Sequence, residues 1–204
     1  MTAWISMIPE EAASPELLAA LDAARAPSGT VGNVMRVHSH RPSTMVGHVK
    51  LYKAVLHDPT NTVQEWLQET IASYVSLLND CDYSFTNHWA NARHLINDSR
   101  RAEAIESALK ADRPSDAFEG VELAMLEYAA KLTRSPGMIV QADVERMRAL
   151  GADDGQILEV NQVCCYFNYV NRLLNGLGVT LQGDIIGYYL NPPDATEPQT
   201  RATT

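Results

Sequence analysis

The chain has little cysteine. Three residues, Cys81, Cys164 and Cys165, are spread over 204 positions. An odd number with two adjacent is no disulfide framework, which excludes the small stapled secreted scaffolds and points to a reducing cytoplasm. Basic residues are also few, 16 Lys and Arg against 25 Asp and Glu, for a formal net charge of −9. No basic stripe remains to meet phosphates or an anionic headgroup layer, so neither nucleic acid nor a membrane surface is expected as a partner. Nothing approaches 18 uninterrupted apolar residues, so no membrane span is expected. The opening MTAWISMIPEEAASPELL lacks a basic start and is broken by Pro9, Glu10 and Glu11, so it does not read as a secretory leader. There is no Gly-rich phosphate loop. His38 and His40, two apart, and His88 and His94, ~120° apart on a helix, are not at ligand spacing, so neither cofactor nor metal is expected. Sustained alternation of polar and apolar residues is missing as well, which removes a sheet from the reading.

What remains is an ordinary globular composition, 46% apolar and 20% charged, in helical periods. Ser14-Pro15-Glu16 starts a short helix with a serine cap and proline at its first position. Pro42 opens a helix to about His57. Between Thr62 and Leu78 the residues Val63, Trp66, Leu67, Ile71, Tyr74, Val75 and Leu78 share one face. Another helix follows to Ile96, then one to Lys110, a strong one over 117–132, one over 142–150 closed by Gly151, and a last long one from Asp153 or Asp154 to Asn175, ended by Gly176. One more turn or two is expected over 180–190. The expectation is an all-α fold of about eight helices in a single domain, residues 1–190, with a loose polar tail over 191–204. Cys164 and Cys165 read as core, and Asn161, Asn168, Asn171 and Asn175 form a polar stripe on the last helix that needs partners if buried.

The chemistry gathers between Glu69 and His94. If a helix begins after Asn79, Ser84 lies ~60° and His88 ~20° from Cys81 around its axis, so the three share a face. Asn79 or Asp80 would cap that helix and leave Cys81 in its first turn, where the dipole and free N–H groups favour a thiolate.

Glu69, Cys81 twelve residues on, Ser84 three further and His88 four further resemble the motif of the carboxymuconolactone decarboxylase and alkylhydroperoxidase D-like family. The segment Phe167-Asn168-Tyr169-Val170-Asn171-Arg172 resembles its peroxidase-related branch. The resemblance implies a multi-helix alkylhydroperoxidase D-like domain, a homo-oligomer (dimer, trimer or hexamer), and a relay in which Glu69 and His88 move protons to and from the reactive thiol. The family's redox branch has a second cysteine where this chain has Ser84. Serine forms no disulfide and is a weak acid, so the two-cysteine cycle cannot run. Three readings stand. The first is a peroxiredoxin-type oxidoreductase that reduces a small organic peroxide through Cys81, with an external thiol or lipoyl-type reductant and Ser84 as hydrogen-bond donor. The second is a non-redox decarboxylase-like enzyme in which Glu69 and His88 act as base and acid. The third is a non-catalytic oligomeric descendant.

Overall fold

A computed structural model describes residues 1–190; the expected polar tail, 191–204, lies outside the described residues. Among them are nine α-helices and no strand: α1 Pro15–Ala23, α2 Asn33–Arg36, α3 Pro42–Leu56, α4 Glu65–Leu78, α5 Asp82–Ile96, α6 Ser99–Lys110, α7 Gly120–Arg134, α8 Gln141–Ala149 and α9 Asp154–Leu177, with three short 3-10 turns. The all-α expectation holds.

Local chemistry sets most boundaries. The Ser14 hydroxyl accepts from the Leu17 amide at 3.2 Å behind Pro15. Asp98 accepts from the Arg100 and Arg101 amides. Asp153 accepts from the Gln156 amide, whose side chain accepts from the Asp153 amide in return. Two ends differ from expectation. Helix α4 starts at Glu65 rather than Thr62; the Thr62 and Val63 amides donate to the Glu159 carboxylate ahead of it. Helix α9 runs past Gly176 to Leu177, and Gly178 takes the left-handed conformation (φ +58°). The Val179 and Gly178 amides close onto the Leu174 and Asn175 carbonyls. A Cβ at Gly178 would fall inside the Trp4 indole, so that position needs glycine twice over. Residues 179–190 form no helix but an irregular strap.

Helix α4 is the axis of the fold, packed by α5, α6, α7 and α9. The apolar period suggested one buried face, yet every residue from Leu67 to Ser76 is buried. Small side chains allow the close approach, and Thr70, Ser73 and Ser76 turn their hydroxyls back onto the carbonyls four residues earlier at 2.6–2.7 Å, so their burial leaves no polar group unpaired. One continuous apolar cluster surrounds this helix. A smaller one, built on Leu17, Leu21, Met35 and Met45, lies between α1 and α3, and Val34 touches both.

The asparagine stripe of α9 is tied within the chain. Asn161 donates to the Tyr128 hydroxyl (2.7 Å), Asn168 to the Thr133 hydroxyl (3.0 Å) and the exposed Asn175 to the Asn79 carbonyl (2.8 Å), while the fully buried Asn171 meets Ser76. Amides too polar for an apolar core thus become the seam between α9, α7 and α4. Cys164 is buried there, but Cys165 stands on the outer, exposed face, against the expectation that both are core.

Candidate active site

The turn between α4 and α5 places the motif. The Asp80 and Cys81 amides donate to the Leu77 and Ser76 carbonyls at 3.0 and 2.9 Å. Asp80 sits at φ +50° between them. This is a Schellman closure with aspartate at the position that usually holds glycine. Asn79 and Asp80 therefore end α4 instead of capping α5, and Cys81 becomes the N-cap residue, one place before the expected first turn. The residue is 1% exposed. Burial pushes the thiol up, the nearby Asp82 adds to that, and the Ser84 amide opposes it by less. The expected depressed thiolate is not what this environment favours: desolvation outweighs the helix end.

Glu69, by contrast, meets His88 directly. His88 Nδ1 donates to Glu69 Oε2 at 2.6 Å, and Asn91 Nδ2 donates to Oε1 at 3.2 Å. The carboxylate, 1% exposed, thus has both oxygens paired, which its burial requires. With Nδ1 engaged, His88 keeps Nε2 as its basic nitrogen, and the edge-on Phe167 ring, 4.5 Å between centroids, fixes the imidazole plane. Ser84 is one turn before His88, and its hydroxyl lies 2.9 Å from that of Ser76.

Ser84 and His88 line a cavity of about 520 Å³ between α3, α5 and α9; Cys81 does not line it. So three motif residues converge, with Glu69 behind His88, and the cysteine stands aside. Tyr83 is on the wall too. Its hydroxyl donates to Asp184 of the strap and accepts from the Val34 amide at 3.2 Å. Burial pushes the Asp184 carboxyl up, against the pull of Tyr83 and the Asn33 amide. The strap forms one wall of the cavity, held there by the Gly187 and Tyr188 amides, which donate to the Asn87 and Asn91 side-chain oxygens (3.2 and 2.6 Å).

Sequence reading missed Asn87, Asn91 and Asp184. The first two could have been found: Tyr83, Asn87 and Asn91 follow one another at i, i+4 and i+8 beside Ser84 and His88, a polar stripe on one face of α5. Asp184 carries no local signal, because its role depends on the strap returning to α5. Also missed was a buried row under the cavity wall: His48 Nε2 lies 2.7 Å from the Tyr166 hydroxyl, and His48 Nδ1 3.0 Å from His38 Nε2. Among the described residues no group of three His, Cys, Asp or Glu could hold a metal ion.

No protein-family model matches the sequence, and no curated protein matches it. Solved structures do match in fold. The alkylhydroperoxidase AhpD core of an uncharacterized peroxidase-related protein from Ralstonia eutropha JMP134 has TM-score 0.74 at 21% identity, over 88% of this chain and 92% of that one. A peroxidase-related protein from Silicibacter sp. TM1040 has TM-score 0.68 at 23% identity, over 88% of each chain. The debrominase Bmp8 has TM-score 0.69 at 16% identity, over 88% of this chain and 91% of that one. A cysteine-to-alanine variant of that debrominase in complex with 2,3,4-tribromopyrrole is similar to the same extent, with TM-score 0.70. The chain has the all-α alkylhydroperoxidase D-like fold, in agreement with the family resemblance of its sequence.

Proposed function

We propose that the chain is an acid–base enzyme acting on a small organic molecule, of the decarboxylase or lactone-processing kind, in the cavity between α3, α5 and α9. His88 exchanges the proton through Nε2, Glu69 holds its tautomer and stabilises the imidazolium that forms, and the Ser84 hydroxyl orients the substrate. The observation that carries this reading is the 2.6 Å contact between Glu69 and His88 on the wall of a cavity that the sulfur does not reach. A buried carboxylate that orients an imidazole is the arrangement general acid–base catalysis needs.

The peroxide-reducing reading stands second. The alkylhydroperoxidase-core and peroxidase-related fold neighbours favour it. It requires Cys81 to be uncovered from its 1% exposure, to pass through a sulfenic acid, and to be restored by an external thiol or lipoyl-type reductant. A homo-oligomer goes with either reading; the expected light-scattering mass is above the single-chain 22.5 kDa, and a mass at that value would contradict it.

One experiment separates the two. Wild type, His88→Ala, Glu69→Gln, Ser84→Ala and Cys81→Ala are assayed on 4-carboxymuconolactone and on small β-keto acids, and in parallel on tert-butyl hydroperoxide with dithiothreitol. The acid–base reading expects turnover of a member of the first set, with a fall of about 10²–10⁴-fold in His88→Ala, as loss of a general acid or base costs, and little change in Cys81→Ala. Hydroperoxide consumption abolished by Cys81→Ala, with no turnover of the first set, would overturn it.

A further inference from the structure

The cavity is joined to the protein surface by four side chains. Tyr166 lines the cavity, and its hydroxyl lies 2.7 Å from His48 Nε2. His48 Nδ1 is 3.0 Å from His38 Nε2, and His38 Nδ1 is 2.8 Å from Thr44 Oγ1. Thr44 in turn donates to the Arg41 carbonyl at 2.8 Å. His48 and His38 are 3% and 7% exposed, whereas Thr44 is at the surface.

The far end sets the direction of every bond. With the single Thr44 hydrogen donated to the Arg41 carbonyl, the Thr44 oxygen accepts from His38 Nδ1–H. A neutral His38 then has a bare Nε2, which must accept from His48 Nδ1–H. His48 in turn has a bare Nε2, which accepts from the Tyr166 hydroxyl. Tyr166 is left with lone pairs and no hydrogen to offer a bound molecule. We infer that Tyr166, His48, His38 and Thr44 form a proton wire of fixed polarity between the cavity and solvent, with Tyr166 accepting the proton of a bound molecule. The inference rests on the reading that the cavity is the reaction site.

The passage balances. The phenolic oxygen takes a proton from the bound molecule and gives its own to His48 Nε2. His48 passes its Nδ1 proton to His38 Nε2, His38 passes its Nδ1 proton to Thr44, and Thr44 releases its own to water. One proton leaves the cavity, one reaches solvent, and all four groups end neutral with their bonds reversed. The reverse passage returns a proton to the cavity. Both rings must be neutral at rest. Burial pushes His48 down to about 4, with His38 adding to the shift, and burial pushes His38 down as well. The Tyr169 ring also packs against His48, edge-on with centroids 5.8 Å apart. Glu69 and His88 are not members of this row, so it provides a second proton route in the same cavity.

The test is the ring-nitrogen spectrum of the whole, 15N-histidine-labelled protein at pH 7. The expected result is that His38 and His48 are both neutral Nδ1–H tautomers. Either ring found as the Nε2–H tautomer overturns the wire. Thr44→Val, a surface change, removes the acceptor that orients the row, so His48 is expected to change to Nε2–H, while Thr44→Ser keeps the wild-type pattern. An unchanged His48 tautomer in Thr44→Val also overturns the wire, because a histidine that only fills space would not sense that residue. These readouts need no substrate, so they stand apart from the His88→Ala assay that tests the acid–base reading.

Discussion

At the residue scale, the decisive fact is that two groups three positions apart have different surroundings. Ser84 reaches the cavity and Cys81 does not. The helical angles that put them on one face assume that both belong to the helix, and Cys81 falls one residue short because α4 claims Asp80 and the Cys81 amide for its own closure. Spacing finds the Ser84–His88 pair, since i, i+4 logic needs only the interior of a helix, and the family resemblance brings Glu69 to His88. Spacing cannot find the depth of a residue at a junction. A thiol-reagent titration follows directly. Cys165, on the exposed face of α9, reacts first, and Cys81 and Cys164 are protected until the fold opens. Burial also pushes the Cys81 thiol up, so its labelling at neutral pH is far slower than that of Cys165. Prompt labelling of Cys81 at neutral pH would restore the expectation of an ionised sulfur.

At the element scale, most helices could be read from caps and periods, and the errors sit where a polar residue served another purpose. Gln68, Glu69, Ser73 and Ser76 lie outside the apolar face of α4 and would ordinarily mark its wet side. They are buried because other helices cover that side, and because each of the two serines bonds to its own backbone. The junction itself gives a measurable consequence. Asp80 holds a left-handed conformation with its side chain exposed, which costs a branched residue about 1–2 kcal/mol. Asp80→Val is expected to lower unfolding stability by that amount, and Asp80→Gly to leave it unchanged or raise it by up to about 1 kcal/mol. Denaturant midpoints measure both, and equal loss in the two variants would show that the aspartate side chain, not its backbone, holds the turn.

At the scale of the whole molecule, the buried histidines couple folding to acidity. In the unfolded chain His48 titrates at its ordinary 6.5, and in the folded one at about 4. A lowered histidine value means that the unfolded state takes up the proton first. The stability is therefore complete above pH 6.5 and is lost as pH falls from 6.5 towards 4, by about 3 kcal/mol for the full shift. His38, pushed the same way, adds to the slope. Urea unfolding between pH 7 and 4.5 should show this decline, and His48→Gln should flatten it. An unaltered slope would mean that His48 titrates normally. Little of this was visible beforehand, because a histidine ten residues from another, paired with a tyrosine 118 positions away, leaves no spacing to read.

The two ends of the described chain are stitched together. The Thr180 amide donates to the Thr2 carbonyl at 2.9 Å, the Trp4 amide donates to the Leu177 carbonyl at 2.8 Å, and Trp4 covers Gly178. The strap that starts there carries Asp184 and Tyr188 into the cavity. A cargo fused ahead of residue 1 therefore hangs on the same thread as the pocket wall. An affinity handle at that end would pull on the strap that carries Asp184 and Tyr188, although it is attached far from His88 in the sequence.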